Sequence, residues 1–298
     1  MDSRDIKEEP KQIQGNKFLE EIYSMQKGLL SGYIGIEGLP QYPVDINTRA
    51  SQTLLKDFTA RVIEELSEGY ESFQLIDSIM QKNLAQIYAG ESPSLYTELL
   101  NHLQNANEEN ADAIHFFIEL LIYVNIQPQD IRDYIDKWVL ENKAQIDLFK
   151  CRGDILDTAI ALGAYWLFLG DEVEFNGPQN TLSILKPYME SDSETFPMFN
   201  EKLLQGGKDY NHNDYVAIYP YLLWKITHHL NIARNFLKNK PWKQSQVMTQ
   251  ELKYQAELVK AFIYFCGYLG YLGMNSEQVF YIYFKKNHIN RFRQKSKY

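Results

Sequence analysis

Two pairs of acidic residues lie three positions apart within helix-like stretches of the sequence. Glu65 and Glu68 occur in the run VIEELSEGY, and Glu109 and Asp112 occur in the run EENADAIHFF. Because residues three apart project from the same side of a helix, the two carboxylates of each pair should point in one direction. Carboxylate oxygens are the ligands that Mg²⁺ prefers, and Mn²⁺ accepts the same ligands. The four carboxylates are therefore a candidate site for Mg²⁺, with Mn²⁺ as a substitute, and for a triphosphate that Mg²⁺ accompanies.

The helix that carries the second pair is too apolar to be a freely solvated surface. A single acidic pair is usually part of a solvated helix face. Here, however, Glu109 and Asp112 are followed by His115 and Phe116 and then by further apolar residues. An unpaired carboxylate on a half-buried helix is energetically costly. We therefore expect a cation or a basic side chain beside this pair.

A stripe of basic and amide side chains lies near the C-terminus. Lys286, Asn290 and Arg293 fall at positions i, i+4 and i+7 of a helical pattern, and Asn287 and Gln294 flank them. Arginine offers bidentate contacts to phosphate, and lysine contributes a compact positive charge. The stripe is consistent with a grip for phosphate and sugar. It is equally consistent with a basic helix end that complements its own dipole, and the spacing alone does not decide between the two.

Composition and charge exclude several classes of protein. The chain has 298 residues, 45% of them hydrophobic, and a net charge of −9. An acidic chain is a poor match for the phosphate backbone, so no direct nucleic-acid binding is expected. No apolar run reaches the roughly 18 residues of a membrane span, and the N-terminus lacks the apolar segment of a signal peptide. The two cysteines, Cys151 and Cys266, form no metal or redox motif. We expect a protein of the cytoplasm with reduced thiols and no membrane partner.

The hydrophobic periodicity predicts an all-α fold without strands. A helix should begin near Lys17, and a loop rich in glycine and proline should follow at about 32–47. Asn47 or Thr48 is the predicted N-cap of the long helix that carries the first acidic pair. A second long helix is predicted at about 107–125 for the other pair. The predicted apolar stripes are Leu55, Phe58, Val62, Leu66, Phe73 and Ile76 on the first of these helices and Ile114, Phe117 and Leu121 on the second. Later helical patterns cover about 128–149, 153–169, 216–238, 245–272 and 276–296.

The predicted domain organisation is simple. Residues 1–16 read as a flexible lead-in, because they are polar and charged. Residues 17–298 are predicted to form one all-α domain, with an irregular insertion at about 171–215 that is rich in loop-forming residues.

The order of these motifs resembles that of a known family. Met25-Gln26 is followed by Glu65-x-x-Glu68, then by Glu109-x-x-Asp112-x-x-His115-Phe116. The tail reads Lys286-Asn287-x-x-Asn290-x-x-Arg293-Gln294. The series is similar to the dimeric, all-α dUTPases, which belong to the MazG-like nucleoside triphosphate pyrophosphatases. The resemblance spans residues from about 20 to 298, and its last two motifs are more specific than the acidic pairs.

The chain departs from the family pattern at three places. Tyr70 and Phe73 stand where the family commonly has a cluster rich in tryptophan and lysine. Leu30 stands where the first motif commonly has an asparagine, and Lys297 replaces a glycine near the end of the tail. The departures concern recognition of the base more than the metal site.

The resemblance implies a fold, an activity and a set of residue roles. It implies a helical bundle with a helical, loop-rich cap, a homodimer, and Mg²⁺-dependent hydrolysis of dUTP and dUDP to dUMP, with pyrophosphate released from dUTP. The implied metal ligands are Glu65, Glu68, Glu109 and Asp112, with Glu65 also activating the attacking water. The base would be bound by Gln26, His115 and Phe116. Phosphates and deoxyribose would be bound by Lys286, Asn290 and Arg293, and Asn287 and Gln294 are further implied substrate-binding residues.

Two alternatives remain open at this point. The first is a related pyrophosphatase that acts on dTTP, dCTP or a 5-substituted dUTP. The second is a protein that keeps the dUTPase fold but acts as an interaction or regulatory protein.

Overall fold

The computed structural model describes residues 6–10, 13, 17–89, 93–137, 212–238, 249–272, 274 and 276–296. These residues are mostly helical and include no strand, so the predicted all-α fold class is confirmed. The helices are α1 (Phe18–Glu37), α2 (Arg49–Ala89), α3 (Pro93–Tyr123), α4 (described over 128–137), α5 (His212–Phe236), α6 (Glu251–Tyr271) and α7 (Ser276–Ser296). The helix predicted at 153–169 and the insertion up to residue 211 lie outside the described residues.

Helices α2 and α3 pack along each other and form the frame of the fold. The predicted N-cap of α2 is confirmed at Thr48, whose Oγ1 accepts a hydrogen bond from the backbone N–H of Ser51 at 3.1 Å. The apolar stripes predicted for the two helices are both buried. They comprise Leu55, Phe58, Val62, Leu66, Phe73 and Ile76 on α2, and Ile114, Phe117 and Leu121 on α3.

Helix α3 is longer than predicted. It begins at Pro93 rather than near residue 107. Proline is well suited to the first position of a helix, because its missing N–H has no intrahelical partner there in any case. The first three turns of α3 carry Leu95, Leu99 and Leu103 at helical spacing, a pattern that the prediction of a start near residue 107 overlooked.

Helix α1 is also longer than predicted. Residues 32–37 belong to α1, and the loop starts only at Gly38, whose φ of 68° provides a left-handed C-cap. The prediction of a loop from residue 32 was wrong, because α1 continues along α7. Gln294 of α7 donates a hydrogen bond to the carbonyl of Leu29 at 2.9 Å. This contact and the close approach at Gly32 hold the last turns of α1 against α7.

Helix α7 packs against α1 and α3 and also contacts the N-terminal segment. The Nζ of Lys285 is buried and donates hydrogen bonds to the carbonyls of Ile6 at 2.5 Å and Glu8 at 3.1 Å. His288 lies 2.9 Å from the Glu8 carboxylate. Residues 6–8 of the predicted lead-in thus lie against α7.

Helices α5 and α6 contribute an aromatic part of the core. The hydroxyls of Tyr219 and Tyr268 lie 2.9 Å apart, and Tyr268 donates to the Asn110 side chain of α3 at 3.0 Å. Cys266 is buried in this layer as a free thiol. Over the described ranges, every helix is too short or too polar to cross a bilayer.

The contact between α1 and α7 predicts different outcomes for two glycines of α1. A Cβ at Gly32 would lie 2.4 Å from Gln294 Oε1, whereas a Cβ at Gly35 would meet nothing within 4 Å. Gly35→Ala should raise the free energy of unfolding by roughly 0.5–1 kcal/mol through helix propensity alone. The free energy of unfolding of Gly32→Ala should be about 1 kcal/mol lower than that of Gly35→Ala, because the added Cβ displaces Gln294 and breaks its hydrogen bond to the carbonyl of Leu29. Urea denaturation of both variants tests this, and equal stabilisation would contradict the close approach.

Candidate metal centre

Three of the four predicted metal ligands meet between α2 and α3. Glu65 projects from α2, and Glu109 and Asp112 project from α3. One carboxylate oxygen from each residue lies within 4.8 Å of those of the other two. The helices are in close contact at this level, since a Cβ at Gly69 would lie 3.6 Å from Glu109 Cβ. We refer to Glu65, Glu109 and Asp112 as the carboxylate cluster.

The fourth predicted ligand, Glu68, lies at the edge of the carboxylate cluster. Its side chain is exposed, and it is not among the residues whose oxygens converge. Its charge nevertheless raises the pKa of Glu65 and of Glu109. Glu68 is therefore close enough to interact electrostatically with the carboxylate cluster without being part of it.

The carboxylate cluster holds a proton between two of its members. Burial, the negative charge of Asp112 and the hydrogen bond and charge of Glu109 together raise the pKa of Glu65 to about 8. Burial also raises the pKa of Glu109, while its hydrogen bond with Glu65 opposes this change. A protonated Glu65 that donates to an ionised Glu109 accounts for both effects. Three carboxylates this close are not all ionised at neutral pH without a cation.

The basic stripe of α7 faces the carboxylate cluster. Lys286 Nζ lies 2.5 Å from Asp112 Oδ2. Burial raises the pKa of Asp112, and the charges of Lys286 and Arg293 oppose the rise. Two of the three stripe residues thus act electrostatically on a member of the carboxylate cluster. The third, Asn290, is half-buried on the same helix.

Three of the residues predicted to bind the nucleotide are buried. Gln26 and Asn287 are fully buried, and His115 is 3% exposed. The ring of His115 stacks on Tyr283 with a centroid distance of 4.4 Å. Burial, and after it the charge of Lys286, lower the pKa of His115 to about 3, so the imidazole is neutral. These three residues lie in the interior of the fold and not at its surface.

Phe116 is the base-site residue that remains half-buried and accessible. The guanidinium carbon of Arg61 lies 5.4 Å from the centroid of its ring. Arg61 also pairs with Asp57 one turn earlier on α2, at 3.0 Å. No motif in the sequence points to Arg61, although it lies one turn before Glu65.

Two further residues of this region were missed from the sequence. Glu119 of α3 is buried and accepts a hydrogen bond from Gln26 Nε2 at 2.7 Å. Burial raises its pKa to about 8. Tyr33 of α1 is half-buried, and its pKa is raised by burial and by the charge of Glu119 and lowered by that of Arg293. Helical spacing in the sequence could have indicated both residues, because Glu119 lies three residues after Phe116 and Tyr33 lies seven residues after Gln26.

Gln294, predicted to bind substrate, is placed differently. Its side-chain amide donates a hydrogen bond to the carbonyl of Leu29 in α1. In this structure Gln294 joins two helices and does not reach the carboxylate cluster.

The raised pKa of Glu65 predicts a pH dependence of stability. The folded-state pKa lies above the ordinary value, so the protonated form favours folding, and this contribution is lost as pH rises from about 4.5 to about 8. In the presence of a chelator, Glu65→Gln should be about as stable as the wild type at pH 5. It should become progressively more stable than the wild type towards pH 8.5.

Urea denaturation across this pH range measures the effect. The control is Glu64→Gln, the same substitution at the adjacent, exposed position. If the difference in free energy of unfolding between Glu65→Gln and the wild type does not grow with pH, Glu65 does not share a proton with Glu109 as described.

Comparison with known proteins identifies the C-terminal part of the chain. Residues 204–298 match the family model described as dUTPase. The matched span includes α5, α6 and α7, and with them the basic stripe. Searches of curated proteins and of solved structures each gave no significant match. Residues 204–298 are therefore similar to the all-α dUTPase family, and the all-α fold of the described residues is consistent with this match.

Proposed function

We propose that this protein is a Mg²⁺-dependent dUTP diphosphatase that also hydrolyses dUDP. The observation that carries the proposal is the carboxylate cluster of α2 and α3 lying against the cationic stripe of α7. A metal-bound triphosphate needs both, because carboxylates hold the metal and cationic side chains hold phosphate oxygens. The family match supports a dUTPase-type nucleotide hydrolase in general terms. The base and the metal are our proposals.

The chemistry of the carboxylate cluster fits a hard divalent cation. Its ligands are all oxygens, and their mutual repulsion is relieved at present by a proton and by Lys286. Glu65, Glu109 and Asp112 would hold Mg²⁺, or Mn²⁺ in its place, and Glu68 lies near enough to join by a side-chain movement. The bound metal would neutralise phosphate charge and lower the pKa of a bound water.

The side chains around the carboxylate cluster have separate roles in this proposal. Glu65 would orient the attacking water or accept its proton, since its carboxylate belongs to the carboxylate cluster and is ionised once the metal is bound. Lys286 and Arg293 hold the phosphates. Water adds to the phosphorus that bears the nucleoside, the bond to the bridging oxygen breaks, and dUMP leaves with pyrophosphate from dUTP or with phosphate from dUDP.

Phe116 provides the exposed part of the proposed base site. Its ring offers a stacking face, and Gln26 and His115 lie in the wall behind it. A pyrimidine that stacks on Phe116 would lie one to two helical turns along α3 from Asp112. This spacing suits a nucleotide whose phosphates reach the carboxylate cluster.

Hydrolysis assays with a nucleotide panel test the proposal. With Mg²⁺ present, dUTP should be hydrolysed faster than dTTP and dCTP, with pyrophosphate as a product. Asp112→Asn and Glu68→Gln should each lower kcat/KM by roughly a thousandfold or more, because charge stabilisation in the transition state is lost. Both variants should retain the wild-type melting temperature to within a few degrees. Glu64→Gln is the control and should retain activity.

The outcomes of this assay separate the alternatives. Preferential hydrolysis of dTTP or dCTP would show that one of these nucleotides, and not dUTP, is the preferred substrate. It would leave the assignment of the metal ligands unchanged. Near-normal activity of both variants would contradict the metal assignment. If neither Mg²⁺ nor any nucleotide shifts the melting temperature of the wild type, the protein is a binding or regulatory protein of this fold.

A further inference from the structure

The ammonium group of Lys286 is a cation in direct contact with the carboxylate cluster. Its Nζ lies 2.5 Å from Asp112 Oδ2, and both side chains are largely buried, with 14% and 20% of their surfaces exposed. The charge of Lys286 and its hydrogen bond both lower the pKa of Asp112 and so oppose the effect of burial. The ammonium therefore stabilises the ionised form of a carboxylate that is also a proposed metal ligand.

A divalent cation and this ammonium compete for Asp112. Mg²⁺ binds carboxylate oxygens at about 2 Å, so a Mg²⁺ on either oxygen of Asp112 would lie within about 7 Å of Nζ. Two cations this close repel each other strongly between largely buried side chains. The metal cannot avoid the ammonium by moving away from Asp112, because Glu65 and Glu109 supply their oxygens within 4.8 Å of the same carboxylate. Metal binding therefore favours a second position of the Lys286 side chain.

The structure provides room for that second position. Lys286 lines a cavity of about 260 Å³ formed by residues of α3 and α7, and Glu108 lines the same cavity. Glu108 lies one turn before Asp112 on α3, and its negative charge raises the pKa of Asp112, so it is close to the same site. A lysine side chain that leaves Asp112 thus has space and an acidic partner one helical turn away.

We propose that Lys286 is an internal cation that regulates the metal centre: its ammonium pairs with Asp112 when no metal is bound and turns towards Glu108 when a metal binds. The inference rests on the proposed function, because it takes the carboxylate cluster as the metal centre. The free energy needed to break the contact between Lys286 and Asp112 lowers the apparent metal affinity of the free protein. Once released, the same ammonium is available to a phosphate oxygen.

Calorimetric titration with Mg²⁺ tests the competition. Lys286→Met should bind Mg²⁺ about tenfold or more tightly than the wild type, because Asp112 no longer exchanges one cation for another. The titration is carried out at pH 8.5, above the pKa of about 8 that burial and the neighbouring carboxylates give Glu65, so that competition by protons is weak. Thermal melting checks that the variant folds, and Lys286→Gln is a second neutral variant with the same expected outcome.

Two further substitutions on α7 separate direct competition from a general loss of positive charge. Arg293 acts on Asp112 through its charge alone. Arg293→Met should therefore raise the Mg²⁺ affinity by no more than about threefold, since a charge without direct contact is partly screened. Lys286→Arg keeps a cation that can pair with Asp112 and should stay within about threefold of the wild type.

A double-mutant cycle tests the second position of Lys286. Glu108→Gln removes a negative charge near the metal and should weaken Mg²⁺ binding in either background. If Lys286 turns towards Glu108, the loss of affinity should be about threefold or more larger in the wild type than in Lys286→Met. Equal losses in the two backgrounds would overturn the assignment of Glu108 as the second partner.

These measurements distinguish failure of the inference from failure of the proposed function. If Lys286→Met and the wild type bind Mg²⁺ with equal affinity, the inference is overturned and the metal centre stands. The same conclusion follows if Arg293→Met gains as much affinity as Lys286→Met. If Mg²⁺ binds neither the wild type nor any variant, the carboxylate cluster is not a metal centre and both fail. Binding to Lys286→Met that is too weak to measure in the wild type supports the inference.

Discussion

The repulsion among Glu65, Glu109 and Asp112 is the constraint on which the rest of the structure depends. Their oxygens lie within 4.8 Å of one another, an arrangement that the packing of α2 on α3 imposes and that the carboxylates themselves oppose. The apolar stripes of the two helices are buried on their other sides and supply the free energy that holds the helices together. The remaining charge is offset by a proton between Glu65 and Glu109 and by Lys286 of α7. A site held in this state is well suited to exchange the proton for a cation.

Two sides of helix α7 contact other parts of the fold. One side carries Lys286 and Arg293 towards the carboxylate cluster, and another carries Asn287 and Arg291 towards α1. The second side depends on small residues of α1, since a Cβ at Gly28 would lie 3.0 Å from the guanidinium of Arg291. The close packing of α1 on α7 therefore fixes the position of the helix that carries the basic stripe. A single helix, α7, contacts both the carboxylate cluster and α1.

The sequence predicts what lies on one helix and fails where two helices meet. Helical periodicity places Glu109 and Asp112 on one face, and it predicts the buried stripes of α2 and α3 correctly. It cannot tell that Glu65 turns towards the carboxylate cluster while Glu68 stays in solvent, because that depends on how α2 and α3 cross. The hydrogen bond from Gln26 to Glu119 joins α1 to α3, so no spacing in the sequence reveals it. The end of α1 was mispredicted because Gly32 and Gly35 are typical of loops, whereas here both are helical and Gly32 lies against Gln294 of α7.

The most direct test of the account is calorimetric titration of the wild-type protein with Mg²⁺ near pH 7 in buffers of different ionisation enthalpy. If the carboxylate cluster binds the metal, the proton between Glu65 and Glu109 must leave. The apparent binding enthalpy should then vary with the buffer, with roughly one proton released per site, and Asp112→Asn should bind Mg²⁺ much more weakly. Mg²⁺ binding without proton release, or with equal affinity in Asp112→Asn, would contradict the assignment of these carboxylates as the metal centre.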